Sequence, residues 1–144
     1  MRRTLVCMAT SRIGPPRPGP EPTLFEAVGG VGFFERLVAA FYRRVEADSL
    51  LLGLYPDPTD LDPARERLTL FLIQYWGGPT TYSERRGHPR LRMRHAPFVV
   101  DSDARDRWLA AMRGALDELD VHPAFDAAMW EYFTMAAEAM RNAD

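Results

Sequence analysis

The sequence predicts an all-α domain, and three observations carry that expectation. From Thr23 onward, apolar residues recur three and four positions apart, the period of a helix that buries one face. Clusters of glycine and proline separate these stretches, at Gly29-Gly30, at Tyr55-Pro56-Asp57-Pro58 and at Gly77-Gly78-Pro79. No stretch alternates apolar and polar residues in the manner of a half-buried strand, and no segment repeats.

Residues 1–22 stand apart from the rest. Their GPPRPGPEP stretch can form neither a helix nor a ladder, so they are expected to be a flexible tail ahead of a domain spanning 23–144. At Thr23 and Glu26 the spacing is that of a capping box, which opens a first short helix. Gly29, Gly30 and Gly32 interrupt it. Phe34, Leu37, Val38, Phe41, Tyr42 and Val45 then form the apolar face of a second helix. Asp62 is expected to cap the next one, with Pro63 at its first position. Its inner face reads Leu68, Phe71, Leu72, Tyr75 and Trp76. Residues 80–100 are irregular, with short helical turns at most. Asp101 or Ser102 caps a long helix faced by Trp108, Met112, Ala115, Leu116 and Leu119. His122-Pro123 starts the last, faced by Phe125, Met129, Phe133, Ala136 and Met140.

Composition narrows the classes of function. The 144 residues suffice for one domain with one core, and the net charge of −2 gives no global attraction to nucleic acid or anionic membrane. All 18 basic residues are arginine. One cysteine, Cys7, excludes an internal disulfide and points to a reducing compartment. No apolar run approaches the ~20 residues of a membrane span, and the N-terminus lacks the long apolar region of a secretory signal. A cytoplasmic location is expected.

The choice of aromatic residues points to a ligand inside the protein. Tyr42, Tyr55, Tyr75, Trp76, Trp108 and Tyr132 lie on or near apolar faces, and each carries a polar group that needs a partner when buried. Three histidines are available. His122 and His88 each precede a proline, which suits capping or surface roles. His95 shares a helical face with Leu91 if residues 89–95 form a turn, leaving Arg90, Arg92 and Arg94 to point elsewhere. Five arginines crowd residues 85–94. They suit a solvated loop, a nucleic-acid patch, or the border of an anionic cofactor.

Phe41-Tyr42, Tyr55-Pro56, the run QYWGGPTTYSERRGHPRLRMRHAPF from Gln74 to Phe98, and Trp108 together resemble the group II truncated haemoglobins, the O type of actinobacteria. The resemblance runs from Thr23 to the C-terminus and leaves out the tail. It implies a shortened globin fold, in which two pairs of helices sandwich one haem b per chain. It also implies that His95 ligates the iron, and that Tyr42, Tyr55 and Trp108 hydrogen-bond the ligand. Ala64 and Leu68 match positions on the distal helix, and Arg67 a basic residue near the propionates. Leu91 and Arg92 are expected among the cofactor contacts. One extra residue in the Pro56–Asp60 loop departs from the family pattern.

The implied function is binding of O₂ and other diatomic ligands, NO and CO among them. Three donors aimed at one ligand favour slow O₂ release, each worth about 1.5–3 kcal/mol. Slow release favours redox chemistry, as nitric oxide dioxygenation or reaction with peroxide, fed by an external electron donor. The alternatives are O₂ storage, delivery or sensing without turnover, and a haemless helical module that binds a partner protein. No nucleic-acid partner is expected, and self-association stays open.

Overall fold

The computed structural model describes residues 22–144, which form eight helices and no strand. The expected tail, Pro22 aside, lies outside the described residues. The helices are α1 (Leu24–Val28), α2 (Val31–Glu46), α3 (Ser49–Leu52), α4 (Asp62–Tyr75), α5 (Thr81–Arg86), α6 (Leu91–His95), α7 (Ser102–Leu119) and α8 (Pro123–Met140).

Local chemistry sets most helix starts. Thr23 and Glu26 form the expected capping box at α1, each side chain accepting from the other residue's backbone N–H. Asp101 caps α7 by accepting from Ala104 N at 2.8 Å. The His122 Nδ1 accepts from Ala124 N at 3.1 Å and opens α8, with Pro123 in its first turn. Between α1 and α2 the chain turns through Gly29 and Gly30, both at positive φ. α2 starts at Val31, so Gly32 lies inside it rather than in the break.

α2 is the centre of the core. All six residues of its expected apolar face are buried, together with Phe33 and Ala40. It packs on α4 and α7, and α7 packs on α8, so the α2–α4 pair and the α7–α8 pair meet through the α2–α7 contact. Met112, Ala115, Leu116, Met129 and Phe133 complete this centre. At its edge Glu118 of α7 pairs with Arg43 and Arg44 of α2.

Three further local expectations change. Leu61, not Asp62, is the N-cap of α4, because the Asp60 carboxylate accepts from Asp62 N at 3.1 Å and draws Asp62 into the first turn. Pro63 is still in that first turn. Tyr75 is 48% exposed, whereas Ile73 is buried, so the last turn of α4 presents Ile73 to the core. The third change is the one-turn helix α3, which no periodicity announces. Asp48 caps it by accepting from Leu50 N and Leu51 N, and Leu51 anchors it in the core.

Candidate functional site

A cavity of about 570 Å³ lies among α2, α4, α6, α7 and α8. Its walls are largely apolar, with Leu68, Phe71 and Leu72 from α4, Phe98 and Val100 from the loop after α6, and Phe133 and Met140 from α8. An apolar cavity of this size with a few convergent polar groups is the usual form of a small-molecule or cofactor site.

One group of polar side chains is aromatic. Tyr42 comes from α2, Tyr55 from the segment after α3, and Trp108 from α7, and all three line the cavity. The Tyr42 and Tyr55 rings meet edge to face at 5.6 Å, and Phe41 bridges Tyr42 and Trp108 at 5.0 and 5.1 Å. Burial pushes the Tyr42 phenol up to about 12, against opposing pulls from a hydrogen bond with Tyr55 and from Arg67 and Arg65. Burial also pushes Tyr55 well above the usual phenol value; the neighbouring Tyr42 adds to the shift and the Trp108 indole opposes it. Three side chains able to donate a hydrogen bond, the Tyr42 and Tyr55 hydroxyls and the Trp108 indole N–H, therefore converge on one wall of the cavity. The guanidinium of Arg65 lies over the Tyr42 ring at 5.8 Å, with its Nε buried and unpartnered among the described residues.

The other polar group comes from α6. His95 lines the cavity, and its Nδ1 stands 2.7 Å from the Leu91 carbonyl. Facing a carbonyl, Nδ1 must carry the proton, which leaves the Nε2 lone pair free. A bond of this kind fixes tautomer and ring orientation in metal-ligating histidines. Among the described residues no group of three or more His, Cys, Asp and Glu could hold a bare metal ion. A lone imidazole in an apolar slot therefore suits a metal whose other ligands come from an organic ring.

Arginines mark the edge of the cavity. Arg67, Arg86, Arg94 and Arg105 line it. Arg105 is paired with Asp106 and Glu138, and Arg94 donates to the carbonyls of Pro89 and Arg86. Arg67 and Arg86 have no carboxylate partner among the described residues and could hold the acidic arms of a macrocycle. The whole set fits a flat, apolar, metal-bearing ring with carboxylate arms, of the haem kind.

Of the residues singled out in the sequence, Tyr42, Tyr55, Trp108, His95, Ala64, Arg67, Leu68 and Leu91 are brought together around this cavity. Arg92 is not: it is exposed and outside the lining, because residue 92 of the single turn projects away from the Leu91–His95 face. Arg94, expected to point elsewhere, lines the cavity. It is three residues from Leu91, a helical neighbour that the spacing itself could have flagged. Tyr82 of α5 was not singled out; it is buried against Phe71 at 5.6 Å and lines the same wall.

Comparison with known proteins gives a consistent picture. Residues 23–142 match the family model of the bacterial-like globins. The chain is similar to the group 2 truncated hemoglobin YjbI of Bacillus subtilis, at 35% identity over 82% of this chain and 87% of that one. Among solved structures it is similar to a thermostable hemoglobin from the actinobacterium Thermobifida fusca. There the identity is 55% and the TM-score 0.82, over 84% of this chain and 98% of that one. A truncated oxygen-avid haemoglobin from Bacillus subtilis superposes with a TM-score of 0.79 at 34% identity, over 84% of this chain and all of that one. No helix among the described residues is long and apolar enough to cross a membrane. The chain belongs to the bacterial-like globins, as a group II truncated haemoglobin that binds haem and small diatomic ligands.

Proposed function

We propose that this cytoplasmic globin holds one haem b per chain on His95 and retains its diatomic ligand for redox chemistry rather than for delivery. The observation that carries the reading is the convergence of three hydrogen-bond donors, Tyr42, Tyr55 and Trp108, on the one apolar cavity that His95 also lines. Haem, when bound, would supply a redox-active iron able to take up a diatomic ligand.

The remaining work falls to the protein. The Leu91 carbonyl holds the His95 ring with Nε2 toward the cavity. Arg67 and Arg86 would hold the propionates in charge-assisted pairs. The Tyr42 phenol, raised to about 12, keeps its proton at every physiological pH and so remains a donor. In the apolar cavity each such bond to a partly charged ligand is worth about 1.5–3 kcal/mol. Ala64 lines the wall with no hydrogen-bonding side chain and little bulk. A ligand can therefore enter easily and leaves slowly, as expected for nitric oxide dioxygenation or reaction with peroxide. The oxygen-avid description of the B. subtilis neighbour supports the same direction. Turnover draws electrons from an external donor.

Stopped-flow measurement of O₂ release tests the reading. Slow release, with nitric oxide consumed when a reductase is supplied, supports it. Release as fast as that of a muscle globin overturns it in favour of storage, delivery or sensing.

A further inference from the structure

The helix that carries His95 is a single turn of five residues with none of them buried. A helix this short does not hold its own shape in water, and it has no fully buried side chain to anchor it, only half-buried Leu91 and Arg94 and its contact with α8. Its geometry must come from outside. On the N-terminal side Arg94 supplies part of it: Nε donates to the Pro89 carbonyl at 2.7 Å and Nη2 to the Arg86 carbonyl at 3.1 Å.

On the C-terminal side the chain runs on as Ala96-Pro97-Phe98-Val99-Val100, and one distant residue gathers it. Asn142, just past the end of α8, donates from Nδ2 to the Phe98 carbonyl at 2.9 Å and, more weakly, to the His95 carbonyl at 3.4 Å. Its Oδ1 accepts from Val100 N at 2.9 Å, and its own N–H donates to the Val100 carbonyl at 2.8 Å. The His95 carbonyl also accepts from Phe98 N at 3.0 Å, so the strap closes on a turn that begins at the histidine itself. Both functions of the amide are used at once: it donates to carbonyls and accepts from an N–H. Neither aspartate nor alanine can do both.

We propose that Asn142 is a positioning residue for His95, a C-terminal strap that fixes where the imidazole stands in the cavity. The inference rests on the reading of His95 as the iron ligand. The strap ties the histidine's turn to the helix that supplies Phe133, Ala137 and Met140 to the cavity wall. Loosening it lets the imidazole move relative to the ring it ligates, without removing any group that touches haem.

The test compares the haem-loaded wild type with Asn142→Ala and Asn142→Asp. The wild type must first show a histidine-ligated haem spectrum; if it does not, the ligand reading fails and the strap remains measurable by hydrogen exchange at Val100 N–H. Given that spectrum, haem transfer to an acceptor globin is expected to speed up about tenfold in both variants. The iron–histidine stretching band in resonance Raman should shift or broaden. Faster exchange at the Val100 N–H should accompany both changes in Asn142→Ala, which alone loses its acceptor. Unaltered Raman and haem-transfer rates, with only a lower Tm, would overturn the proposal and leave Asn142 a plain structural anchor. If Asn142→Ala fails to fold, Asn142→Asp carries the test, because it keeps the acceptor to Val100 and loses only the donors to His95 and Phe98.

Discussion

The Leu91 carbonyl accepts from His95 Nδ1 at 2.7 Å, one helical turn back along a helix only one turn long. That bond gives His95 the fixed tautomer and ring orientation that a metal ligand needs. The rest of the cavity can be read from this point outward: an apolar slot, arginines at the edge, and three donors, Tyr42, Tyr55 and Trp108, on its wall.

The three donors at the cavity make a kinetic prediction. Trp108→Phe keeps the packing against Phe41 and Phe133 but removes the indole N–H, one of those donors. O₂ release should accelerate about tenfold or more, in line with the loss of ~1.5 kcal/mol or more per bond to a charged ligand. An unchanged stopped-flow rate would make Trp108 a packing residue.

A second prediction concerns alkaline pH. Burial raises the Tyr42 and Tyr132 phenols to about 12, and Tyr55 also lies well above the 10.0 of a free phenol. Below about pH 9 these groups are protonated in both folded and unfolded chains, and stability does not depend on them. As pH climbs from about 10 to about 12, the unfolded chain releases protons that the folded chain retains, so stability falls. Phenolate absorbance from these residues should therefore appear together with loss of the helical circular dichroism signal. Full titration near pH 10 with the helices intact would contradict it.

The glycine pair after α4 predicts a steric effect. A Cβ on Gly78 would come within 2.7 Å of Ile73 Cγ2 and 2.9 Å of the Ile73 carbonyl, with Phe25 Cδ1 also at 2.9 Å. The carbonyl cannot move aside without breaking its bond from Gly78 N. Gly78→Ala should cost about 1–3 kcal/mol in a denaturant melt. Gly32→Ala, whose nearest neighbour is the flexible end of Arg36 at 3.4 Å, should be neutral or slightly stabilising.

Much of the fold was legible because it is written locally. The Thr23–Glu26 box, the Asp101 and His122 caps and the buried stripe of α2 each need only neighbouring residues to be recognised. Helix α3 was not legible, since four residues are too few to show a period. The cavity residues Tyr42, Tyr55, Trp108 and His95 were found because the family pattern places them, and Arg94 was overlooked although its spacing from Leu91 was visible. Asn142 had no local signal at all: its partners lie more than forty positions away and are backbone groups, which leave no mark on side-chain identity.

The central claim is that His95 carries the haem iron. The most direct measurement is the visible spectrum of haem-loaded protein in its ferric, ferrous and CO forms, beside the His95→Ala variant. A histidine-type ferrous and CO spectrum that is lost or altered in the variant is the predicted result. A haem spectrum indifferent to the substitution, or no haem uptake by the wild type, would contradict it.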